Sequence, residues 1–257
     1  MCTLAIYLRQ FEKYPLVIAA NRDEHFARAS EAPKLWNGDP AILAGKDLAA
    51  GGTWLGVNSA GIAAAIVNRR VQIEPLASPR SRGLMCLDML QAAALGDARA
   101  ALPYEDAGRY QPFLLLVAST GGAFAAYNVR SEVELMNLRS GLHVFSNTSF
   151  TEQDGEKLGH ARRLFATAGE ALAPILNETA SLEPAVRVLR DVLGDHTAGE
   201  NADAKGALCV HVPGADYGTV SSSIVFQSAS ENQFHFYHSP GPPCCAGYQP
   251  APSLSIA

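Results

Sequence analysis

The chain has 257 residues, 48% of them apolar and 18% charged, with a formal net charge of −5. That length can bury a substantial core without staples, and that composition is ordinary for a soluble globular protein. No run of lysine and arginine is dense enough for a nucleic-acid footprint, the nearest being Arg69-Arg70 and Arg80/Arg82. No stretch of about 18 apolar residues exists, so no spanning helix is expected. The apolar start lacks a basic flank and runs into Arg9, Glu12 and Lys13, which is unlike a signal peptide. Five cysteines, at 2, 86, 209, 244 and 245, argue against a disulfide framework and for a reducing compartment. A cytoplasmic location follows as the expectation.

Thr3 to Leu8 is β-branched, aromatic and aliphatic and reads as a buried strand. Leu16 to Ala20 reads as a second strand pairing back on it, followed by the polar cluster Asn21-Arg22-Asp23-Glu24. Residues 28 to 40 read as loop, with Pro33, Gly38 and Pro40. Short strands follow at Ile42–Gly45, through Gly51 to Val57, and at Ile62–Val67, ending in Asn68. Ser81 is placed to cap a helix with apolar positions Leu84, Leu87, Leu90 and Ala94. Strands resume at Phe113–Val117, Ala123–Val129, Val133–Leu138 and Leu142–Phe145, the last ending in Ser146-Asn147.

Leu158, Ala161, Phe165, Ala168 and Leu172 recur at steps of three and four, which predicts an amphipathic helix. Another helix is expected over 181–193, with Gly194 as its C-terminal cap. Residues 195 to 205 are polar and read as mobile. Leu208–Val212, Ser221–Phe226 and Gln233–Tyr237 read as strands. Strands follow strands directly, so the class is α+β with mainly antiparallel pairing. One domain over 1–238 is expected, with 239–257 as a flexible Pro/Gly/Ser-rich tail.

Several chemistries are absent as motifs. The glycines at 51 to 56 lack the Gly-Lys-Ser/Thr ending of a phosphate loop, and no GxGxxG pattern occurs. Ser221 to Ser223 lack a nucleophile elbow. His235 and His238 would face opposite sides of a strand, and Cys244-Cys245 are vicinal in the tail; neither has a structural zinc spacing. No metal and no cofactor are therefore expected.

What remains is a set of polar residues at strand ends. If the initiator methionine is removed, Cys2 carries both a thiol and a free α-amine, whose ordinary pKa of about 7.7–8.0 makes it a base near neutral pH. A nucleophile with its own base is the N-terminal form of nucleophilic catalysis. Arg22 would favour the thiolate, Asp23 could orient the amine, and the amides of Asn68 and Asn147 suit an oxyanion hole. Asn and Asp also favour turns, so strand termination is the competing explanation for each of these positions.

Met1-Cys2, Ala19-Ala20-Asn21-Arg22-Asp23-Glu24, Gly51-Gly52-Thr53-Trp54-Leu55-Gly56, Asn68, Ser81-Arg82-Gly83, Ser146-Asn147 and, more weakly, Tyr217-Gly218-Thr219 resemble the NRDE family, the transport and Golgi organisation protein 2 type. That family in turn resembles cysteine N-terminal nucleophile hydrolases of the penicillin V acylase and bile-salt hydrolase type. The resemblance implies a four-layer αββα sandwich of two mainly antiparallel sheets flanked by helices. It also implies Cys2 as nucleophile, with Arg22 and Asp23 beside it and Asn68 and Asn147 on the oxyanion and amine side. The activity implied is an amidohydrolase or acyltransferase acting on a small amide or thioester, at a non-peptide C–N bond. The alternative is non-catalytic haem or lipid handling in trafficking or homeostasis on the same scaffold. The expected partner is a small-molecule substrate or ligand, with no nucleic acid and no membrane span; an oligomer is left open. The chain departs from the family pattern at Val220, where an arginine is frequent after Gly-Thr.

Overall fold

The computed structural model describes residues 2–69, 76–102, 107–129, 132–147, 155–178, 181–198 and 206–257. Its strands are β1 (Thr3–Leu8), β2 (Leu16–Glu24), β3 (Ser30–Trp36), β4 (Ile42–Asp47), β5 (Leu55–Asn58), β6 (Ala63–Asn68), β7 (Phe113–Ser119), β8 (Gly122–Val129), β9 (Glu132–Leu138) and β10 (Gly141–Phe145). After these come β11 (Gly218–Ser228), β12 (Gln233–Ser239), β13 (Gln249–Pro250) and β14 (Leu254–Ser255). The helices are α1 (Arg82–Leu90), α2 (Leu95–Ala100), α3 (Glu156–Glu178) and α4 (Glu183–Leu193). No helix among the described residues is long and apolar enough to cross a membrane.

The chain divides into two units: Met1–Ala27 with Ser140–Ala251, and Arg28–Arg139 with Pro252–Ala257. In the first unit the strand order is β10-β1-β2-β11-β12-β13, antiparallel at each pairing. Alternate residues point to alternate faces of a strand. One face supplies Ala5, Tyr7, Val17, Ala19, Val144, Ile224 and Phe226 to a core shared with α3 and α4. The helices answer with Leu158, Ala161, Phe165, Ala168 and Leu172, the periodic set expected from sequence, and with Ala185, Leu189 and Leu193. The intervening residues Leu4, Ile6, Leu8 and Ile18 are buried as well, so β1 is enclosed along its whole length.

The second unit is a seven-stranded antiparallel sheet in sequence order, β3 to β9. Ile42, Ala44, Ile62, Ala64, Phe113, Leu115 and Phe124 form one face against Met85, Cys86, Met89 and Leu90 of α1. Both units are thus antiparallel sheets with helices against a face, in agreement with the α+β expectation.

Several local expectations change. Residues 30–36 form a strand, not loop, because a register shift between Glu31 and Lys34 lets Pro33 sit on the sheet's edge without owing a ladder hydrogen bond. Helix α1 buries positions 85, 86, 89 and 90, so Leu84 and Leu87 are only half-buried. Ser81 occupies the N-cap position but makes no side-chain cap bond. Leu208–Val212 is not a strand; its ladder contact is a single bridge from His211 to Gly218, on the short stretch of β11 that β12, which pairs only from Ser222, leaves open. Gly194 ends α4 at φ −83°, not in the left-handed region; a Cβ there would press on the Arg190 carbonyl at 3.1 Å and make only ordinary contact with the Cys244 backbone at 3.6 Å. The segment from Ser239, whose composition marks a flexible tail, carries β13 paired on β12, and the Ala251 N–H donates to the Phe236 carbonyl at 2.8 Å. Of residues 195 to 205, those from 199 lie outside the described residues.

The glycine-rich motif at 51 to 56 is a packing device. Gly51 has φ +76°, a left-handed conformation that costs little only for glycine. A Cβ on Gly52 would collide with the backbone of Gly83, lying 2.5 Å from the Gly83 carbonyl oxygen and from the Leu84 nitrogen. The same contact lets the Thr53 N–H donate to the Gly83 carbonyl at 3.0 Å, which joins the start of β5 to the first turn of α1. A Cβ on Gly56 would lie 2.6 Å from Leu90 Cδ1 and 2.7 Å from the Ala44 methyl. Backbone cannot yield as a side-chain tip can. Gly52→Ala should therefore cost at least the 1–3 kcal/mol typical of overpacking. Gly51→Ala, which meets nothing within 4 Å, should cost only the roughly 1–2 kcal/mol of its backbone conformation. Urea denaturation of the two variants tests the order; equal losses would remove this account of the motif.

Candidate active site

Cys2 stands immediately before β1, half-buried. Thr3 pairs with Asn21, so one further step along the ladder sets Cys2 across from Arg22. The Cys2 sulfur lies 4.0 Å from the backbone carbonyl oxygen of Asp23. On the other side of β1, Leu4 pairs with Phe145, and Asn147 follows two residues later, 3% exposed. The register of one sheet thereby sets Cys2 beside Arg22 and Asp23, while Asn147 lies two residues past the end of β10. Asn68 ends β6 in the other unit, half-buried and paired with Phe113.

The polar cluster does not follow the strand, as expected, but belongs to it. β2 continues to Glu24 because β11 pairs along it, with Gly218 on Glu24, Thr219 on Asp23, Ser221 on Arg22 and Ser222 on Asn21. Asn21, Arg22 and Asp23 are therefore buried. Asn21 is structural: its side-chain amide donates to the carbonyls of Leu193 at 2.8 Å and Leu208 at 2.9 Å, one of them at the end of α4. The Thr219 hydroxyl donates to Asp23 Oδ1 at 2.6 Å and accepts from the Val210 N–H at 2.8 Å. The Tyr217 hydroxyl donates to the Asp23 carbonyl at 3.3 Å, the same oxygen that the Cys2 sulfur faces.

The ladder skips Val220, which sits at a bulge between Thr219 and Ser221. Bulges re-aim side chains, and here the bulge falls between the partners of Asp23 and Arg22. Sequence reasoning noticed Tyr217-Gly218-Thr219 only as a weak motif; the carboxylate contact of Thr219 depends on strand pairing across 196 residues.

Burial dominates the local electrostatics. It pushes the Cys2 thiol pKa above its ordinary value, and the charge of Asp23 adds to the rise; the charge of Arg22 acts the other way but does not win. Burial also raises the Asp23 carboxyl, against the opposing pull of Lys157 and the Thr219 hydrogen bond. The resting thiol is consequently held protonated more firmly than a free cysteine. On β12, His238 is 8% exposed and its Nδ1 lies 3.0 Å from the Ser223 hydroxyl. Burial, helped by the Arg22 charge, depresses its pKa to about 4.

The family described as Transport and Golgi organisation 2 matches residues 1–239. The chain is 29% identical over 237 residues to the human Transport and Golgi organization protein 2 homolog, covering 84% of this chain and 83% of that protein. It is 28% identical over 249 residues to the Bos taurus homolog, with the same coverage, and 28% identical over 247 residues to the Drosophila melanogaster protein, covering 87% and 85%. Among solved structures it is similar to the Caenorhabditis elegans ortholog of N-acylethanolamine-hydrolyzing acid amidase, at TM-score 0.57 and 12% identity, over 87% of this chain and 92% of that one. It is also similar to the conjugated bile acid hydrolase of Clostridium perfringens, at TM-score 0.55 and 11% identity, over 100% and 99%. At such identities the likeness speaks for the fold alone, and that fold is the N-terminal nucleophile hydrolase fold.

Two predictions follow from the charges. Asp23→Asn removes a negative charge that raises the Cys2 pKa, so Cys2 should alkylate faster with iodoacetamide at fixed pH, whereas Arg22→Gln should slow it; peptide mass spectrometry resolves Cys2 from the other thiols. His238 is neutral when folded and gains a proton when unfolded below its ordinary pKa of 6.5. Its contribution to stability is thus present above about 6.5 and is lost as pH falls towards about 4. The loss is on the order of 3 kcal/mol. Denaturation at pH 7.5 and 4.5 should show a drop that His238→Gln reduces, and an identical drop in the variant would refute the assignment.

Proposed function

Because the chain belongs to the Transport and Golgi organisation 2 family and has the N-terminal nucleophile hydrolase fold, we propose that it is a cysteine amidohydrolase or acyltransferase acting through Cys2 on a small amide or thioester. The observation that carries this reading is the position of the Cys2 thiol, at the head of a strand buried throughout and 4.0 Å from the Asp23 carbonyl. The two similar structures carry the names of an amidase hydrolysing N-acylethanolamines and of a hydrolase of conjugated bile acids; by analogy, the acyl group here is apolar.

Removal of Met1 frees the α-amine of Cys2. That amine accepts the thiol proton as sulfur attacks the substrate carbonyl carbon. The carbonyl oxygen takes the electron pair, stabilised by the side-chain amide of Asn147. As the C–N bond breaks, the leaving nitrogen receives the proton from the α-ammonium, and an acyl-Cys2 thioester remains. Water then attacks the thioester carbon, giving a proton to the α-amine and passing the carboxylic acid out, and the sulfur recovers its proton. With an amine acceptor in place of water the same intermediate gives acyl transfer. Asp23 orients the amine, and Arg22 offsets the charge of the developing thiolate.

Intact-mass measurement of the purified protein should show the loss of one methionine residue. Incubation with a panel of N-acyl amides of graded chain length should leave a transient acyl adduct on the Cys2 peptide and release acid. Cys2→Ala should abolish both and Cys2→Ser should slow them at least about a hundredfold. Retention of Met1, or turnover in Cys2→Ala equal to that of the wild type, would refute the proposal.

A further inference from the structure

Three separated segments of the first unit meet beside the far end of α4. Just past that helix, the Asp195 carboxylate accepts the Thr197 N–H at 3.0 Å and its hydroxyl at 3.1 Å, and lies 2.9 Å from His160 Nε2. These contacts hold the turn that carries His196. The Cys209 N–H donates to the Asp195 carbonyl at 2.9 Å, joining this turn to the second segment. Cys209 and His211 flank Val210, whose N–H and carbonyl are both engaged by Thr219, at 2.8 and 2.9 Å. Two residues apart in extended chain, their side chains share a side. The third segment is a turn in which the N–H groups of Cys245 and Ala246 donate to the Pro242 carbonyl at 3.1 and 2.8 Å. Arg190 Nε donates to the Pro243 carbonyl at 3.1 Å, which ties this turn to α4.

The result is a set of four soft donors. The ligand atoms of His196, Cys209, His211 and Cys244 all lie within 4.8 Å of one another. The Cys209 and Cys244 sulfurs are 3.7 Å apart, Cys209 Sγ is 3.5 Å from His211 Nε2, and His211 Nε2 is 3.3 Å from Cys244 Sγ. A tetrahedral zinc with about 2.3 Å bonds to sulfur and about 2.0–2.1 Å bonds to nitrogen has edges of about 3.8 Å between sulfurs and about 3.6 Å between sulfur and nitrogen. Three of the four donors thus already stand at the edge lengths of such a tetrahedron. The fourth, His196, is exposed, its ring centroid 5.1 Å from that of His211 and its donor atom within 4.8 Å of the other three.

We propose that His196, Cys209, His211 and Cys244 bind a single zinc ion. Two thiolates and two imidazoles select a tetrahedral, borderline-soft cation over calcium, magnesium or manganese. Four protein donors leave no open coordination position, so the ion is structural. Binding releases the protons of the two thiols to solvent. The metal would tie the end of α4, the Cys209–His211 segment and the 242–246 turn into one body. Val210, between two of the ligands, donates to the Thr219 hydroxyl that in turn donates to Asp23, so this clamp also steadies the carboxylate near Cys2. The inference concerns different residues from the reaction proposed above, and its test reads metal, not turnover.

Full-length protein purified in a phosphine reductant, loaded with zinc and freed of excess by gel filtration, should retain about one equivalent by elemental analysis. Cobalt in its place should give the thiolate-to-cobalt charge-transfer absorption of a tetrahedral sulfur site. Cys244→Ser and His211→Gln should each weaken zinc more than about a hundredfold, while Cys245→Ser should retain it. His211 is exposed, so its variant should keep the wild-type circular dichroism and separate loss of metal from loss of fold. No retained metal in the reduced wild type would overturn the proposal. So would equal retention in Cys244→Ser and His211→Gln, or a metal-free protein whose Cys209 and Cys244 are joined in a disulfide.

Discussion

The pairing of β2 between β1 and β11 is the constraint on which the rest of the first unit depends. It carries Asn21, Arg22 and Asp23 into the middle of a sheet, where polar side chains must be satisfied or cost free energy. Asn21 closes two carbonyls, one of them at the end of α4. Asp23 takes the hydroxyl of Thr219. The same ladder that buries these groups holds Cys2 at their side, so the stability of the sheet and the geometry of the site are one arrangement.

Burial then sets the chemistry. Three titratable groups close to Arg22 and Asp23 are displaced in the direction that removes charge: the Cys2 thiol and Asp23 carboxyl upward, the His238 imidazole downward. Desolvation is the leading cause in each. A buried site of this kind keeps its thiol neutral at rest and needs a base close at hand during attack, which is the property an N-terminal amine supplies.

The second unit uses its glycines differently from the way a glycine-rich stretch first suggests. Gly52 and Gly56 are small because α1 and β4 pass where a Cβ would stand, and Gly51 is present for its left-handed backbone. The motif shared with the family is therefore, at these positions, a record of how β5 meets α1.

Much of this was legible in the chain itself. Short apolar runs placed most strands of both sheets, and steps of three and four placed the apolar face of α3, since those patterns follow from local geometry and burial alone. The Cys2 start and the strand-end polar residues were visible as residue types with a chemistry. Local patterns also misled, for local reasons: Pro33 reads as a loop signal unless the strand is known to lie at an edge, and the four polar residues 21–24 read as a stop because only β11, nearly 200 residues away, supplies the partner that keeps them in the sheet. Val220 looked like a simple replacement in a motif; the bulge that takes it out of register arises from pairing, not composition. Cys209, His211 and Cys244 carry no metal-binding spacing, and their donors meet because α4, a bridged segment and a late turn pack on one another. Local sequence pattern determined what most segments would become. Tertiary structure alone decided which distant side chains would share a site, because proximity between segments far apart in the chain is created by packing and leaves no period behind.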